Sequence, residues 1–340
     1  MTKIFVIYTG GTIGMITDPE TNALAPFTFE QIIENVPELR RMDYELTVHS
    51  FDPIIDSSDM TPEIWAYLAK LINDNYEDHD GFLILHGSDT MAFTASALSF
   101  MLEGLAKPVI FTGSQLPISE VRTDAKENFI TALEIASAKL EDGRARVPEV
   151  CIYFENKLFR ANRTFKYNSA KFEAFRSPNY PVLVEAGVHI KYNDAVIGKL
   201  EKSIFKVHTN VSNNIGVLKL YPGISPQIVD AVLNSGAEAI IMESFGTGNT
   251  TTAKWFLDKL KKAINGGKII LDISQCKVGS VEMGRYATSS ELKKMGVING
   301  YDMTFEAAVT KLMYLLGRNY PKDRLLRRLG ASIRGELTKN

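Results

Sequence analysis

Four short segments of this sequence gather hydroxyls, carboxylates and glycines closely enough to do chemistry. They are Thr9-Gly10-Gly11-Thr12-Ile13-Gly14, Asp56-Ser57-Ser58-Asp59-Met60, His86-Gly87-Ser88-Asp89-Thr90 and Thr112-Gly113-Ser114-Gln115. Singly, each has an ordinary structural explanation. A Gly-Gly-Thr turn can be a plain strand-to-helix connection, and Ser88-Asp89 can cap the helix beginning near Thr90. No Gly-Lys-Ser/Thr follows the first turn and no G-x-G-x-x-G occurs there, which sets aside phosphate and dinucleotide loops. Brought together, Thr12, Ser57, Ser58 and Ser88 with Asp56 and Asp89 make a crevice suited to a small zwitterion. The carboxylates would hold an ammonium, while hydroxyls and backbone N–H groups would hold a carboxylate. The same hydroxyls are candidate nucleophiles, but a free hydroxyl is weak at neutral pH and needs a base. No histidine stands in a Ser-His-Asp arrangement, and His86 reads as a packing residue. A lysine with its pKa lowered by burial and oriented by a carboxylate would serve.

The elements that must position these segments are legible as an alternation of short apolar, β-branched runs with longer helical patterns. Strands are predicted at Ile4–Tyr8, Glu45–Phe51, Phe82–Leu85, Val109–Phe111 and Val150–Phe154, with helices at Phe29–Asn35, Pro62–Asn73, Thr90–Leu102 and Ala125–Lys139. Thr61-Pro62-Glu63 is a good helix start, a capping hydroxyl followed by proline. Periodicity is lost from Gly187 to Val211, which reads as a polar linker. A second series has strands at Ile215–Leu220, Ala239–Met242 and Ile269–Ile273, and helices at Gln227–Asn234, Thr252–Ile264, Phe305–Leu316 and Asp323–Arg328. The expected fold is two α/β domains. Residues 1–190 form an N-terminal catalytic domain on an open, mainly parallel, Rossmann/flavodoxin-like sheet, 191–212 a linker, and 213–340 a smaller C-terminal α/β domain. In open α/β sheets ligands gather beyond the carboxyl ends of the strands, near a topological switch point. Each of the four segments follows one of the first four strands.

Composition narrows the function classes. Across 340 residues, 38 basic and 40 acidic side chains leave a net charge of −2, which argues against a dedicated nucleic-acid or membrane-surface protein. Cys151 and Cys276 form no C-x-x-C pattern, and His49, His79, His86, His189 and His208 show no zinc-ligand spacing. No apolar run approaches a membrane span, and the N-terminal run is too short for a signal peptide. A soluble, cytoplasmic protein is expected. The basic cluster Arg324, Arg327 and Arg328 reads as a solvated or inter-subunit helix face.

Further motifs extend the pattern along nearly the whole chain: Tyr8 to Met15, Leu85 to Met91, Thr112-Gly-Ser-Gln-Leu-Pro117, Ala161-Asn-Arg-Thr-Phe-Lys166, Tyr221-Pro-Gly223, Gly284-Arg-Tyr-Ala287 and Arg334-Gly-Glu-Leu337. In these the sequence resembles the bacterial-type L-asparaginases, most closely the cytosolic type I group. The resemblance implies hydrolysis of the side-chain amide of L-asparagine to L-aspartate and ammonia. It implies no cofactor and no metal, a small-molecule substrate, no nucleic-acid or membrane partner, and a homodimer or homotetramer. Carried over residue by residue, Thr12 matches the nucleophile, and Ser88, Asp89 and Lys166 match a second catalytic cluster. Asp56, Ser57 and Ser58 match the loop holding the substrate's α-groups, Asp89 also grips the ammonium, and the Ser114 backbone lies near the scissile amide.

The sequence departs from that pattern in places. Serine replaces the usual threonine at position 88. The segment Gly14–Pro26 lacks the tyrosine found in many relatives, with Leu24 roughly in its place, and Tyr286 is a candidate for activating Thr12. Some bacterial cytosolic relatives have a second asparagine pocket at a subunit interface. The resemblance places it near Thr164–Lys166, Glu243 and Ser274–Cys276, with Glu243 where those relatives have arginine and Phe165 where they have a small hydroxyl residue. Two alternatives stay open: the ammonia-releasing subunit of a tRNA-dependent amidotransferase, which carries an additional N-terminal domain, and a non-enzymatic amino-acid sensor. Lys166 discriminates against the sensor, since a pure binding site has no use for a buried lysine beside a hydroxyl.

Overall fold

The structure, a computed structural model, describes residues 1–17, 24–26, 29–199, 203–284 and 287–339. The chain divides into two compact units, Met1–Thr209 and Asn210–Asn340.

The first unit is built on an eight-stranded sheet. Its strands are β1 (Thr2–Tyr8), β2 (Tyr44–Ser50), β3 (Gly81–Leu85), β4 (Val109–Thr112), β5 (Val150–Phe154) and β6 (Lys157–Arg160), then, after a separate hairpin of β7 (Phe165–Lys166) and β8 (Phe175–Arg176), β9 (Val184–Glu185) and β10 (Lys191–Tyr192). The spatial order is β10-β9-β6-β5-β4-β3-β1-β2. Strands β1 to β5 are parallel, and β6, β9 and β10 continue as antiparallel additions. Parallel strands covered on both faces need continuous apolar runs. Ile4 to Tyr8 and the whole of β3 and β4 are accordingly buried. β2 lies at the sheet edge and alternates partly buried with exposed residues. Phe129, Ala132, Leu133 and Ala136 of helix Ala125–Ser137 pack in one apolar cluster with Ile4, Val6, Tyr8, Leu83 and Leu85.

The order 2-1-3-4-5 among the parallel strands places the topological switch between β1 and β3, the position where flavodoxin-like sheets bind ligands. All four chemically loaded segments leave the carboxyl edge of this sheet. Within the stretch read as linker, two short segments are strands: Lys191–Tyr192 closes the sheet, and Lys206–Val207 pairs with Leu102–Glu103. Two-residue edge strands exposed to water need no apolar pattern, so periodicity gives no sign of them. Thr61 sits at the N-cap of Pro62–Asp74, but its hydroxyl makes no capping bond.

The second unit carries a four-stranded parallel sheet of β11 (Ile215–Lys219), β12 (Ala239–Ser244), β13 (Ile269–Ser274) and β14 (Ile298–Asn299), in sequential order. Leu218, Ile240, Met242 and Ile270 pack with Phe256 and Leu260 of helix Lys254–Asn265. A buried ion pair ties its C-terminal segment to helix Phe305–Gly317. Lys311 Nζ lies 2.5 Å from Glu336 Oε1 with both side chains fully buried. It also donates to the carbonyls of Leu329 at 2.8 Å and Ala331 at 2.6 Å. Glu336 in turn accepts from the backbone N–H groups of Ile333 and Arg334. The Arg-Gly-Glu-Leu motif is thereby a clasp.

Candidate active site

Thr12 opens a single 3₁₀ turn, Thr12–Gly14, directly after β1. Gly11, just before it, has φ of +93°, and a Cβ there would fall 2.5 Å from the Gly87 backbone. A Cβ on Gly87 would fall 2.6 Å from Ser57 Oγ. The loops after β1 and β3 therefore touch backbone to backbone, with the Ser57 side chain against the second. Only glycine allows this approach. Thr12, Ser57, Ser88 and Asp89 are brought to one crevice by it.

The loop after β2 is tied by Asp56 and Thr90. Asp56 Oδ1 accepts the Ser58 N–H at 2.8 Å and so caps the turn Ser57–Asp59. Thr90 Oγ1 donates to the Ser57 carbonyl at 2.6 Å. This joins the loop after β2 to the loop after β3.

Lys166 reaches the crevice from β7. Its Nζ donates to Ser88 Oγ at 2.8 Å and to Asp89 Oδ1 at 2.6 Å. The lysine side chain is 16% exposed, whereas that of Asp89 is 67% exposed and open to a ligand. Ser88 Oγ also lies 3.4 Å from Gln115 Oε1 as a donor, and Gln115 Nε2 donates to the Lys171 carbonyl at 2.9 Å. Gln115 thus links Ser88 to the β7–β8 hairpin that carries the lysine. Ser114 Oγ donates to the Leu116 carbonyl at 2.6 Å, inside its own loop. Asp124 holds that loop by accepting N–H groups of Gln115 and Leu116 at 3.0–3.1 Å. Burial raises the pKa of Asp124, and these N–H groups partly offset the rise. Asn128, one helical turn on, donates to Asp124 and to the Gly113 carbonyl.

His86 is fully buried, with Nδ1 2.7 Å from the Gly87 carbonyl and Nε2 3.0 Å from Thr94 Oγ1. Trp65 Nε1 donates to the same hydroxyl at 3.1 Å. That chain fits a neutral ring protonated at Nδ1, and burial pushes its pKa down to about 4. His86 packs, as its sequence position suggests.

The structure joins Lys166, Ser88 and Asp89 directly and sets the loops bearing Thr12 and Asp56–Ser58 against the loop of Ser88, while Ser114 follows the adjacent strand β4. Residues 285 and 286, among them the candidate activator Tyr286, lie outside the described residues. Gln115, Asp124 and Asn128 are site residues that sequence reasoning passed over. Gln115 stands inside a quoted motif, and Asp124 with Asn128 at i, i+4 is a visible signal on the following helix. Among the described residues no cluster of His, Cys, Asp or Glu could hold a metal ion.

What this arrangement can do is nucleophilic and acid–base chemistry on a small polar substrate. Comparisons with known proteins agree with that class. The family model described as "Asparaginase, N-terminal" matches residues 3–197, and that of the "Glutaminase/Asparaginase C-terminal domain" matches residues 214–328. The chain is 43% identical over 337 residues to L-asparaginase 1 of Escherichia coli (strain K12), covering 99% of this chain and 98% of that protein. The crystal structure of L-asparaginase I from Vibrio cholerae superimposes with a TM-score of 0.91 at 41% identity, covering 99% of both chains. The thermostable L-asparaginase from Thermococcus kodakarensis gives 0.90 at 29% identity over the full length of both. The chain belongs to the asparaginase family, in its bacterial type I branch.

Proposed function

We propose that the protein hydrolyses the side-chain amide of L-asparagine to L-aspartate and ammonia, using Thr12 as nucleophile and a Ser88-Asp89-Lys166 cluster for proton transfer. One observation carries the reading: a largely buried lysine bonded at once to a hydroxyl and to an open carboxylate, where the strand ends converge. Thr12 Oγ attacks the amide carbon and forms an ester as the C–N bond breaks. The leaving nitrogen takes a proton from Ser88, Lys166 resupplies it, and the Thr12 hydroxyl proton released in the attack restores Lys166, so ammonia departs with no net change in the cluster's protons. Water then cleaves the ester and frees Thr12.

Backbone N–H groups at the turns bearing Thr12 and Ser88 stabilise the oxyanion, because they are fixed dipoles that need no reorganisation. Asp56, Ser57 and Ser58 hold the substrate's α-groups, Asp89 takes its ammonium, and the Ser114 backbone lines the amide end. The proposed working form is a cytoplasmic homodimer or homotetramer. A sensor would bind the same zwitterion but has no role for the lysine–serine bond.

Ammonia release from asparagine and glutamine, measured for the parent and for Thr12→Ala and Lys166→Met, tests the proposal. Each variant should fold and lose activity roughly 10²–10⁴-fold. Near-normal kcat in Thr12→Ala would overturn the assignment and move the nucleophile to Ser88.

A further inference from the structure

Among the described residues, few hydrogen bonds hold the turn that carries Thr12. Its internal bonds are Gly14 N–H to Gly11 C=O at 3.2 Å and Met15 N–H to Thr12 C=O, and no side chain caps its start. Among the described residues, one side chain hydrogen-bonds its backbone: Tyr8, whose phenol donates to the Gly14 carbonyl at 3.0 Å. Tyr8 ends β1, is 1% exposed, and packs with Ile13 in the apolar cluster beneath the turn.

Gly14 records the same contact from the other side. A Cβ at Gly14 would fall 2.0 Å from the Tyr8 hydroxyl and 2.4 Å from the ring carbon bearing it. Unlike Gly11, Gly14 is not in the left-handed region, so its backbone would accept alanine. Glycine is needed there because the phenol occupies the space.

We infer that Tyr8 is a positioning residue for the nucleophile: its hydroxyl pins the C-terminal end of the Thr12–Gly14 turn and thereby sets where the Thr12 hydroxyl points. The phenol is not itself the base that activates Thr12. It already donates its proton to a carbonyl, and desolvation pushes its pKa up to about 12, so it stays neutral in the working range. A rigid scaffold strand holding a reactive side chain through one buried bond fits the sensitivity of catalysis to small displacements, since a shift near 1 Å can cost about 10²-fold in rate.

This inference rests on the reading of Thr12 as nucleophile, and the experiment separates the two. Tyr8→Phe keeps the ring and its packing and removes only the hydroxyl. Gly14→Ala displaces the hydroxyl instead. Both single variants, the double variant and Thr12→Ala are assayed for kcat and KM with asparagine, for inhibition by aspartate, and for thermal midpoint.

Tyr8→Phe should lower kcat roughly 10-fold or more, while KM and aspartate inhibition stay within about twofold and the pH profile keeps its shape. Among the described residues, the phenol's hydrogen bond goes to Gly14 and not to the loops bearing Asp56–Ser58, Asp89 or Ser114. The double variant should be no worse than Gly14→Ala alone, because both changes remove one interaction. With Thr12→Ala inactive, a Tyr8→Phe kcat within about twofold of the parent overturns the positioning role. So does a fall in kcat matched by equal losses in KM and aspartate binding, or additive effects in the double variant. An active Thr12→Ala overturns the nucleophile assignment itself, and the role inferred for Tyr8 with it.

Discussion

Replacing Asp272 with asparagine should flatten the dependence of stability on pH and stabilise the protein in mildly alkaline solution. Asp272 lies on β13, is fully buried, and neither carboxyl oxygen has a hydrogen-bond partner of normal geometry among the described residues. Burial pushes its pKa from 3.8 to about 7, offset only in part by the Ser244 hydroxyl beside it. In the unfolded chain the group keeps its ordinary value. As pH rises between the two values, the unfolded chain has released a proton that the folded chain still holds. Stability therefore falls through this window and levels off above about pH 7. The full loss is about 4 kcal/mol at 1.36 kcal/mol per pH unit, of which about 2 kcal/mol falls between about pH 5.5 and about pH 8.5. Asparagine removes the titration but buries an amide, at a cost of about 1–3 kcal/mol. The variant should be close to the parent at the lower pH and more stable at the higher one. The second unit has about 130 residues, and in a unit of that size 1 kcal/mol moves the midpoint by about 4 °C. Melting curves at the two pH values should show the gap between variant and parent growing by about 8 °C. Parallel pH dependence in the two proteins would refute the reasoning, because it would mean the carboxyl is solvated or paired in solution.

Three further outcomes follow from the geometry. Lys311→Met should destabilise the second unit by about 3–5 kcal/mol by leaving Glu336 buried without its cation, and Lys311→Met/Glu336→Leu should recover much of that in urea unfolding. A double variant as unstable as the single one would contradict this. Ser88→Thr should keep kcat/KM within roughly tenfold of the parent, because Ser88 is only partly buried and the hydroxyl is retained, with overpacking costing at most about 1–3 kcal/mol. A folded but inactive threonine variant would show a pocket rebuilt around serine. Initial rates against asparagine should be hyperbolic. Glu243, where the resemblance puts the second pocket of some relatives, is buried with Lys219 3.8 Å away as its ion-pair partner, so a second substrate's carboxylate would meet a like charge in such a pocket. A Hill coefficient clearly above one, abolished by Glu243→Ala, would refute this.

The regular part of the fold was legible because burial forces its sequence. β1, β3 and β4 lie between parallel neighbours, β5 lies between β4 and the antiparallel β6, and all are covered by helices, so Ile4 to Tyr8 and Val150 to Phe154 must be apolar at every position. The predicted helices fall within a few residues of the observed ones, as expected where an apolar face repeats. What escaped is what burial does not dictate. Val184–Glu185, Lys191–Tyr192 and the β7–β8 hairpin are two-residue strands, too short to show a period. Helix Ala287–Met295, with basic residues in its last turn, has no counterpart among the predicted elements.

The site divides along the same line. Thr12, Ser57, Ser88 and Ser114 are found because they follow recognisable strands, and strand ends are where an open sheet binds ligands. Lys166 lies on a two-residue strand outside the main sheet, so only resemblance singles it out, and the structure then supplies its bonds to Ser88 and Asp89. Gln115 and Tyr8 show a different difficulty. Each stands in a quoted motif, but a motif gives neighbours in sequence, whereas their contacts are to Lys171 and Gly14 across a turn or a hairpin. The glycines mediate between the two kinds of information. Gly11 and Gly87 belong to separate motifs, yet a Cβ on Gly11 would strike the Gly87 backbone, and one on Gly87 would strike Ser57. Those glycines report a contact between the first and third strand ends, and that contact makes two weak turn motifs into one site.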